Sequence, residues 1–282
     1  MTASVAEWQA KLQGWIQWAC ELEVLSPKPG NVCPQNDFED ATVEDFLKSA
    51  AAIAPELAAS QPSLGLAILK AVQATRTVVS HNTNLGIILL VAPLARVPQE
   101  LSLVDGIDSV LNTTTVEDSR LVYEAIRIAS PGGLGKADAQ DVGSQPTETL
   151  TACMKLASDR DLIARQYVTS FRDVLTTGVD LWRACQQTGT SSRSQVTTLA
   201  LRLLSMFPDS LIQRRCGESE AISIQKMAQE IIEAGWPTTS LSQSLYANFD
   251  RYLRADGHHR NPGTTADMVA AILFASKRDK RA

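Results

Sequence analysis

No Cys-x-x-Cys pair occurs in this chain of 282 residues. Its five cysteines, Cys20, Cys33, Cys153, Cys185 and Cys216, are scattered and odd in number. That spacing signals neither a zinc ribbon nor a disulfide framework, and it fits reduced thiols in a cytoplasm. Positive charge is not in excess either: 26 Lys and Arg stand against 31 Asp and Glu, a formal net charge of -5. This argues against a broadly basic nucleic-acid binder and against a polybasic membrane surface, while local basic pockets stay open. The stretch from Met1 to Gly14 carries charges and no long apolar run, so neither a signal peptide nor a membrane span is expected. Alternation of the β type is nearly absent, and so are internal repeats and low-complexity linkers. With 44% hydrophobic and 20% charged residues a large core is available. The expected architecture is all-α, a single globular domain of many short helices over residues 1–282 whose loops hold the unusual side chains.

The most distinctive stretch is Ser80-His81-Asn82-Thr83-Asn84-Leu85-Gly86, which runs straight into Ile87-Ile88-Leu89-Leu90-Val91-Ala92. The apolar run has no polar face and should be buried on all sides. A helix capped by Asn84 and stopped by Pro93 is the favoured reading, although a buried strand looks similar at this length. Hydrogen-bonding groups at the entrance of a buried element need partners from the fold or from a ligand.

The other loops lie between amphipathic helices. Val5 to Glu23 has apolar residues at helical spacing, and Ser26-Pro27-Lys28-Pro29-Gly30-Asn31 ends it. Two prolines stiffen that turn around one ammonium group, which suits a phosphate; an ordinary turn with a solvated Lys is the alternative. The acidic connection Gln35 to Asp40 reads as a solvated face or a water-mediated metal site. Thr42 with Asp45 and Thr115 start helices, Leu64 to Val79 and Glu100 to Leu111 form two more, and Thr147 to Gly189 reads as one or two long ones. Ser130-Pro131-Gly132-Gly133-Leu134-Gly135-Lys136 is rich enough in glycine to expose backbone N–H groups to an anion. It lacks the Lys-Ser/Thr ending and the preceding strand that a P-loop or a Rossmann turn requires. Asp209 to Gly217 holds an acid, Arg214, Arg215 and a glycine. Asn261-Pro262-Gly263-Thr264 with Asp267 opens the last apolar helix, where Thr264 and Asp267 have capping-box spacing and the helix start offers an anion site. The adjacent His258 and His259 make a poor chelating pair. The tail from Lys277 to Arg281 is basic and expected to be solvated.

Together these loops resemble the family of triphosphoribosyl-dephospho-CoA synthases, in order and over most of the chain. Pro27-Lys28-Pro29-Gly30 is similar to the family's first signature and Asn82-Thr83 with Gly86 to its Asn-Thr-x-x-Gly motif. Asp209, Arg215 and Gly217 fall where the family has an Asp-Thr-Asn stretch leading to Arg-Gly-Gly. Asn261, Gly263, Thr264 and Asp267 resemble its final segment. The resemblance implies an all-α transferase that uses ATP, with Mg²⁺, as donor of a triphosphoribosyl group to the ribose 2′-hydroxyl of dephospho-CoA, releasing adenine. It implies phosphate contacts from Lys28 and Arg215, and Asp209 and Asp267 as catalytic or metal-holding carboxylates. Lys28, Gly30, Asn31, His81, Asn82, Thr83, Asn84, Gly86, Arg215, Gly217, Asn261, Gly263 and Thr264 are the expected nucleotide-binding set.

The chain departs from the family pattern in four places. Phe38-Glu39-Asp40 stands for His-Lys-Asp, Asn84-Leu85 for His-Lys, Leu211 for an Asn, and the glycine-rich stretch from Ser130 for Gly-Ala-Arg-Gly-Glu. A divergent enzyme of the same fold in a pterin or one-carbon pathway, or a non-catalytic nucleotide-binding protein, is the alternative.

Overall fold

The computed structural model describes residues 4–133, 135 and 137–279. Leu134 and Lys136 of the glycine-rich stretch and Lys280 and Arg281 of the basic tail lie outside the described residues. Fourteen α-helices and no strand occur among the described residues. They are α1 Val5–Val24, α2 Val43–Ala58, α3 Leu64–Val78, α4 Leu85–Ala95, α5 Leu103–Asn112, α6 Val116–Ala129, α7 Leu150–Lys155, α8 Leu162–Val168, α9 Val179–Gln186, α10 Ser192–Met206, α11 Ser210–Cys216, α12 Glu218–Glu233, α13 Ser240–Arg254 and α14 Gly263–Asp279. A π-helical segment, Asp173–Gly178, lies between α8 and α9.

Most helix starts are written into the local sequence. Ser4 with Glu7, Thr42 with Asp45 and Thr115 with Asp118 form capping boxes, in which hydroxyl and carboxylate satisfy backbone donors reciprocally. Ser63, Ser102, Thr149, Asp161, Ser191 and Thr239 cap six more helices through one side-chain acceptor each.

Two elements stand at the centre of the large core. In α4 every residue from Leu85 to Ala95 except Gly86 is buried, as the absence of a polar face requires. In α14 the chain is buried from Met268 through Ser276. Helices α1, α9, α10 and the π-helical segment pack on α14, which itself lies against α4. A second apolar cluster joins Leu201 and Leu204 of α10 to Ile212, Ile224, Phe249 and Leu253 of α11–α13.

Three local expectations are corrected. Pro93 does not stop α4 but sits inside it, in the last turn, and the helix runs on to Ala95. The span Thr147 to Gly189 is not one or two long helices. Asp161 Oδ1 accepts from Ile163 N and Ala164 N and so starts α8 afresh. Ser170 and Phe171, both at positive φ (52° and 57°), then break it before the π-helical segment. Asn84 holds the N-cap position of α4 without a capping bond; Asn82 Oδ1 accepts from Leu85 N instead, at 3.1 Å.

Helices α3 and α6 cross at Gly65. Its N–H donates to Asp118 Oδ1, and a Cβ there would meet Asp118 Cα at 2.6 Å. Gly65→Ala is expected to destabilise the fold by about 1–3 kcal/mol, because backbone rather than a flexible side chain must move; urea denaturation would measure it.

Candidate functional site

A cavity of about 1240 Å³ lies where the loops around the starts of α4, α8, α11 and α14 converge. The end of α1, the segment from Asn31 to Ala41, one side of α6 and the glycine-rich loop complete its wall. Among the expected binding residues, Asn31, His81, Asn82, Thr83, Asn84, Gly86, Arg215, Asn261, Gly263, Thr264 and Asp267 line this cavity. Turns from opposite ends of the chain therefore share one space.

The α4 entrance is partly satisfied from within. Thr83 Oγ1 is 2.6 Å from Ser49 Oγ, and Asn84 Oδ1 accepts from Thr75 Oγ1. Asn84 Nδ2, His81 Nε2, Asn261 Oδ1 and His258 Nδ1 are buried without a hydrogen-bond partner among the described residues. Such groups carry a desolvation cost of about 1–3 kcal/mol each unless something pairs with them. Phe38 stacks on His258 with ring centroids 3.8 Å apart. Asn31 is nearly buried, and its Nδ2 donates weakly to Pro29 O and Pro262 O.

Asp267 meets the cavity beside Gly86. A Cβ at Gly86 would lie 2.0 Å from Asp267 Oδ2, so only glycine admits the carboxyl at the start of α4. No hydrogen bond from a described residue reaches Asp267. Burial, then the carboxylates of Glu23 and Asp209, push its proton affinity well above the usual carboxylate range, while Arg214 opposes them.

Four of the expected residues are not in the wall, each for a visible reason. The Lys28 side chain is wholly buried. Its ammonium lies 2.9 Å from Glu23 Oε1 and donates to Glu23 O and Ser26 O. Three N–H bonds meet three acceptors, so no donor remains for a phosphate. Gly30 has φ 71° and packs where a Cβ would lie 2.8 Å from Leu253 Cβ; its N–H donates to Asp250 Oδ1. Gly217 turns the chain from α11 into α12 at φ 92° and is exposed.

Asp209 is fully buried and caps two helices at once. Oδ1 accepts from Leu211 N and Ile212 N of α11; Oδ2 accepts from Thr265 N and Thr265 Oγ1 of α14. The expected Thr264–Asp267 capping box is thus replaced by a carboxylate from another element. Burial pushes the Asp209 proton affinity up, and the four donors pull it back. Its four lone-pair sites are thus taken up by the two helix starts. Among the described residues no group of three or more His, Cys, Asp or Glu is placed to hold a metal ion.

Arg214 and Arg215 of α11 line the cavity as well. Arg214 Nη1 donates to Asp161 Oδ2 at 2.5 Å, and Arg215 Nη1 to His258 O at 3.4 Å. Arg127 and Arg160 also line the cavity. Gly132 and Gly133 lie against Arg215 and Arg214, where a Cβ would come within 2.9 Å and 3.4 Å of those side chains.

The model of the ATP:dephospho-CoA triphosphoribosyl transferase (CitG) family matches residues 9–282. The chain belongs to this family. A crystal structure from Archaeoglobus fulgidus, assigned as a triphosphoribosyl-dephospho-CoA synthase, is 26% identical, with a TM-score of 0.66 over 84% of this chain and 100% of that one. No curated protein matches the chain significantly. Within this transferase, sequence reasoning missed Glu23, Arg127, Arg160 and Asp161 as cavity residues. Glu23 had one readable signal, its place one helical turn ahead of the Pro-Lys-Pro turn. Arg127 and Arg160 had none, because only the fold brings α6 and the start of α8 to face α11.

Asp209→Ala is expected to lose about 2–4 kcal/mol, since it removes two caps and strands buried donors. Thermal melting checks this, and wild-type stability would reject the clamp. Asp267→Asn is expected to do the reverse. The native Asp267 holds its proton longer than the unfolded chain does, so its contribution to stability is present at low pH and is lost as pH rises out of the usual carboxylate range. The variant should melt a few degrees above the parent at pH 8, on the order of 1–2 kcal/mol, and together with it near pH 4.

Proposed function

We propose that this transferase moves the triphosphoribosyl group of ATP to the ribose 2′-hydroxyl of dephospho-CoA and releases adenine. The observation that carries the reading is one cavity lined together by arginines, the glycine-loop backbone and the carboxyls of Glu23 and Asp267. Arg214 and Arg215, with the backbone of Gly132 and Gly133, suit a triphosphate, because guanidinium forks and exposed N–H groups match phosphate oxygens. The volume exceeds the roughly 300–1,000 Å³ of a pocket for one small ligand and so leaves room for two nucleotides. The His81 to Gly86 stretch, Asn31, Asn261, Gly263 and Thr264 supply polar contacts around the ribose and base.

Asp267 lines the same cavity within electrostatic reach of both Glu23 and Arg214, and it holds its proton readily. That makes it the group that donates a proton to departing adenine, since a catalytic acid works best with a proton affinity near the working pH. Mg²⁺ enters on the phosphates of ATP as part of the substrate, because Asp209 has no lone pair to offer and Asp267 alone is not a metal site. The family match over residues 9–282 supports reading the chain as one domain. The five thiols, none in a disulfide, agree with the cytoplasm, and no described helix is long and apolar enough to cross a membrane.

Incubation with Mg-ATP and dephospho-CoA should release free adenine in step with product. ATP consumption only with a different acceptor would overturn the acceptor, and tight binding without turnover would overturn catalysis. Arg215→Ala, an exposed change, should raise the KM for ATP about tenfold, the loss of one charge-assisted phosphate contact, with a smaller effect on kcat.

A further inference from the structure

The Glu23–Lys28 pair is not explained by phosphate binding, nor by stability. Lys28 is among the largest fully buried side chains, and Glu23 is 4% exposed. Burying two charges costs several kcal/mol per ion before they attract each other, and apolar residues of the same volume would serve the fold as well. What singles the pair out is its position. Glu23 stands in the cavity wall with Asp267, and the two carboxyls are within electrostatic reach of each other and of the buried Cys20 thiol. Lys28 stands behind Glu23, away from the cavity, anchored by Glu23 O and Ser26 O.

We propose that Glu23 is the general base that takes the proton of the attacking ribose hydroxyl, and that Lys28 is the positioning residue that holds its carboxylate. This rests on the transfer reading above. The acceptor 2′-oxygen bonds to C1′ of the ATP ribose as its proton passes to Glu23. The C1′–N9 bond breaks, its electron pair leaves with adenine, and the proton on Asp267 goes to the departing base. One proton is taken and one given, and solvent restores both carboxyls after release. A fixed carboxylate oriented by a third group, facing a second carboxyl that holds its proton, is the arrangement by which two like residues divide acid and base work.

The test compares Glu23→Gln, Lys28→Met and the double variant with the parent, by adenine release from Mg-ATP and dephospho-CoA and by thermal melting. Glu23→Gln should lower kcat by about 100-fold or more, the usual worth of general base catalysis, with the KM for ATP little changed. Lys28→Met alone strands a buried carboxylate and is expected to melt early. The double variant removes both charges, and it should melt close to the parent yet be as slow as Glu23→Gln. An active parent with an active Glu23→Gln overturns this assignment alone. A Lys28→Met enzyme with unchanged kcat and a raised KM for ATP also overturns it, since that is the mark of a phosphate ligand. A parent that releases no adenine overturns the transfer reading, and this assignment with it.

Discussion

The Asp209 carboxylate accepts four hydrogen bonds, two from the first turn of α11 and two from Thr265 in the first turn of α14. Helix starts leave backbone donors without partners, and burying them uncapped is costly. A single buried side chain solves this for two helices and, in doing so, fixes one against the other. The arginines ride on α11, while Thr264 and Asp267 ride on α14. The placement of the α11 arginines relative to Thr264 and Asp267 therefore depends on one residue that is not in the cavity wall.

The site built on that clamp holds charges of both signs. Guanidiniums, the glycine turn, Glu23, Asp267 and unpartnered amide and imidazole atoms share one wall. A fold selected for stability alone would avoid such groups, because low-dielectric surroundings make each unpaired polar atom expensive. The same surroundings strengthen every contact a nucleotide would make there. Glycine at position 86 belongs to this logic: it gives up side-chain packing so that Asp267 can reach the start of α4.

The buried Lys28 shows how a stiff turn can leave its side chain pointing either way. Two flanking prolines do make a stiff turn, and the turn does stand beside the cavity. The ammonium points inward because Glu23, one turn back on α1, offers a carboxylate and a carbonyl at the distance the turn sets. No local pattern could tell a presented lysine from an inward one, since the two share the same backbone signals.

What the sequence determined by itself is whatever rests on neighbours in the chain: the all-α class, the capping boxes at Thr42 and Thr115, the buried run of α4 and the loops that carry polar chemistry. Hydroxyl and carboxylate caps act over three residues, and a run without a polar face has nowhere to lie but the core. Tertiary structure alone decided that Asp209 is a clamp, that Lys28 pairs with Glu23, that Asn82 rather than Asn84 caps α4, and that Arg127 and Arg160 face the same cavity as Arg214. Hydrogen bonds and charges act over a few ångströms in space, and separations such as the one from Asp209 to Thr265 or from α6 to α11 have no trace in local spacing.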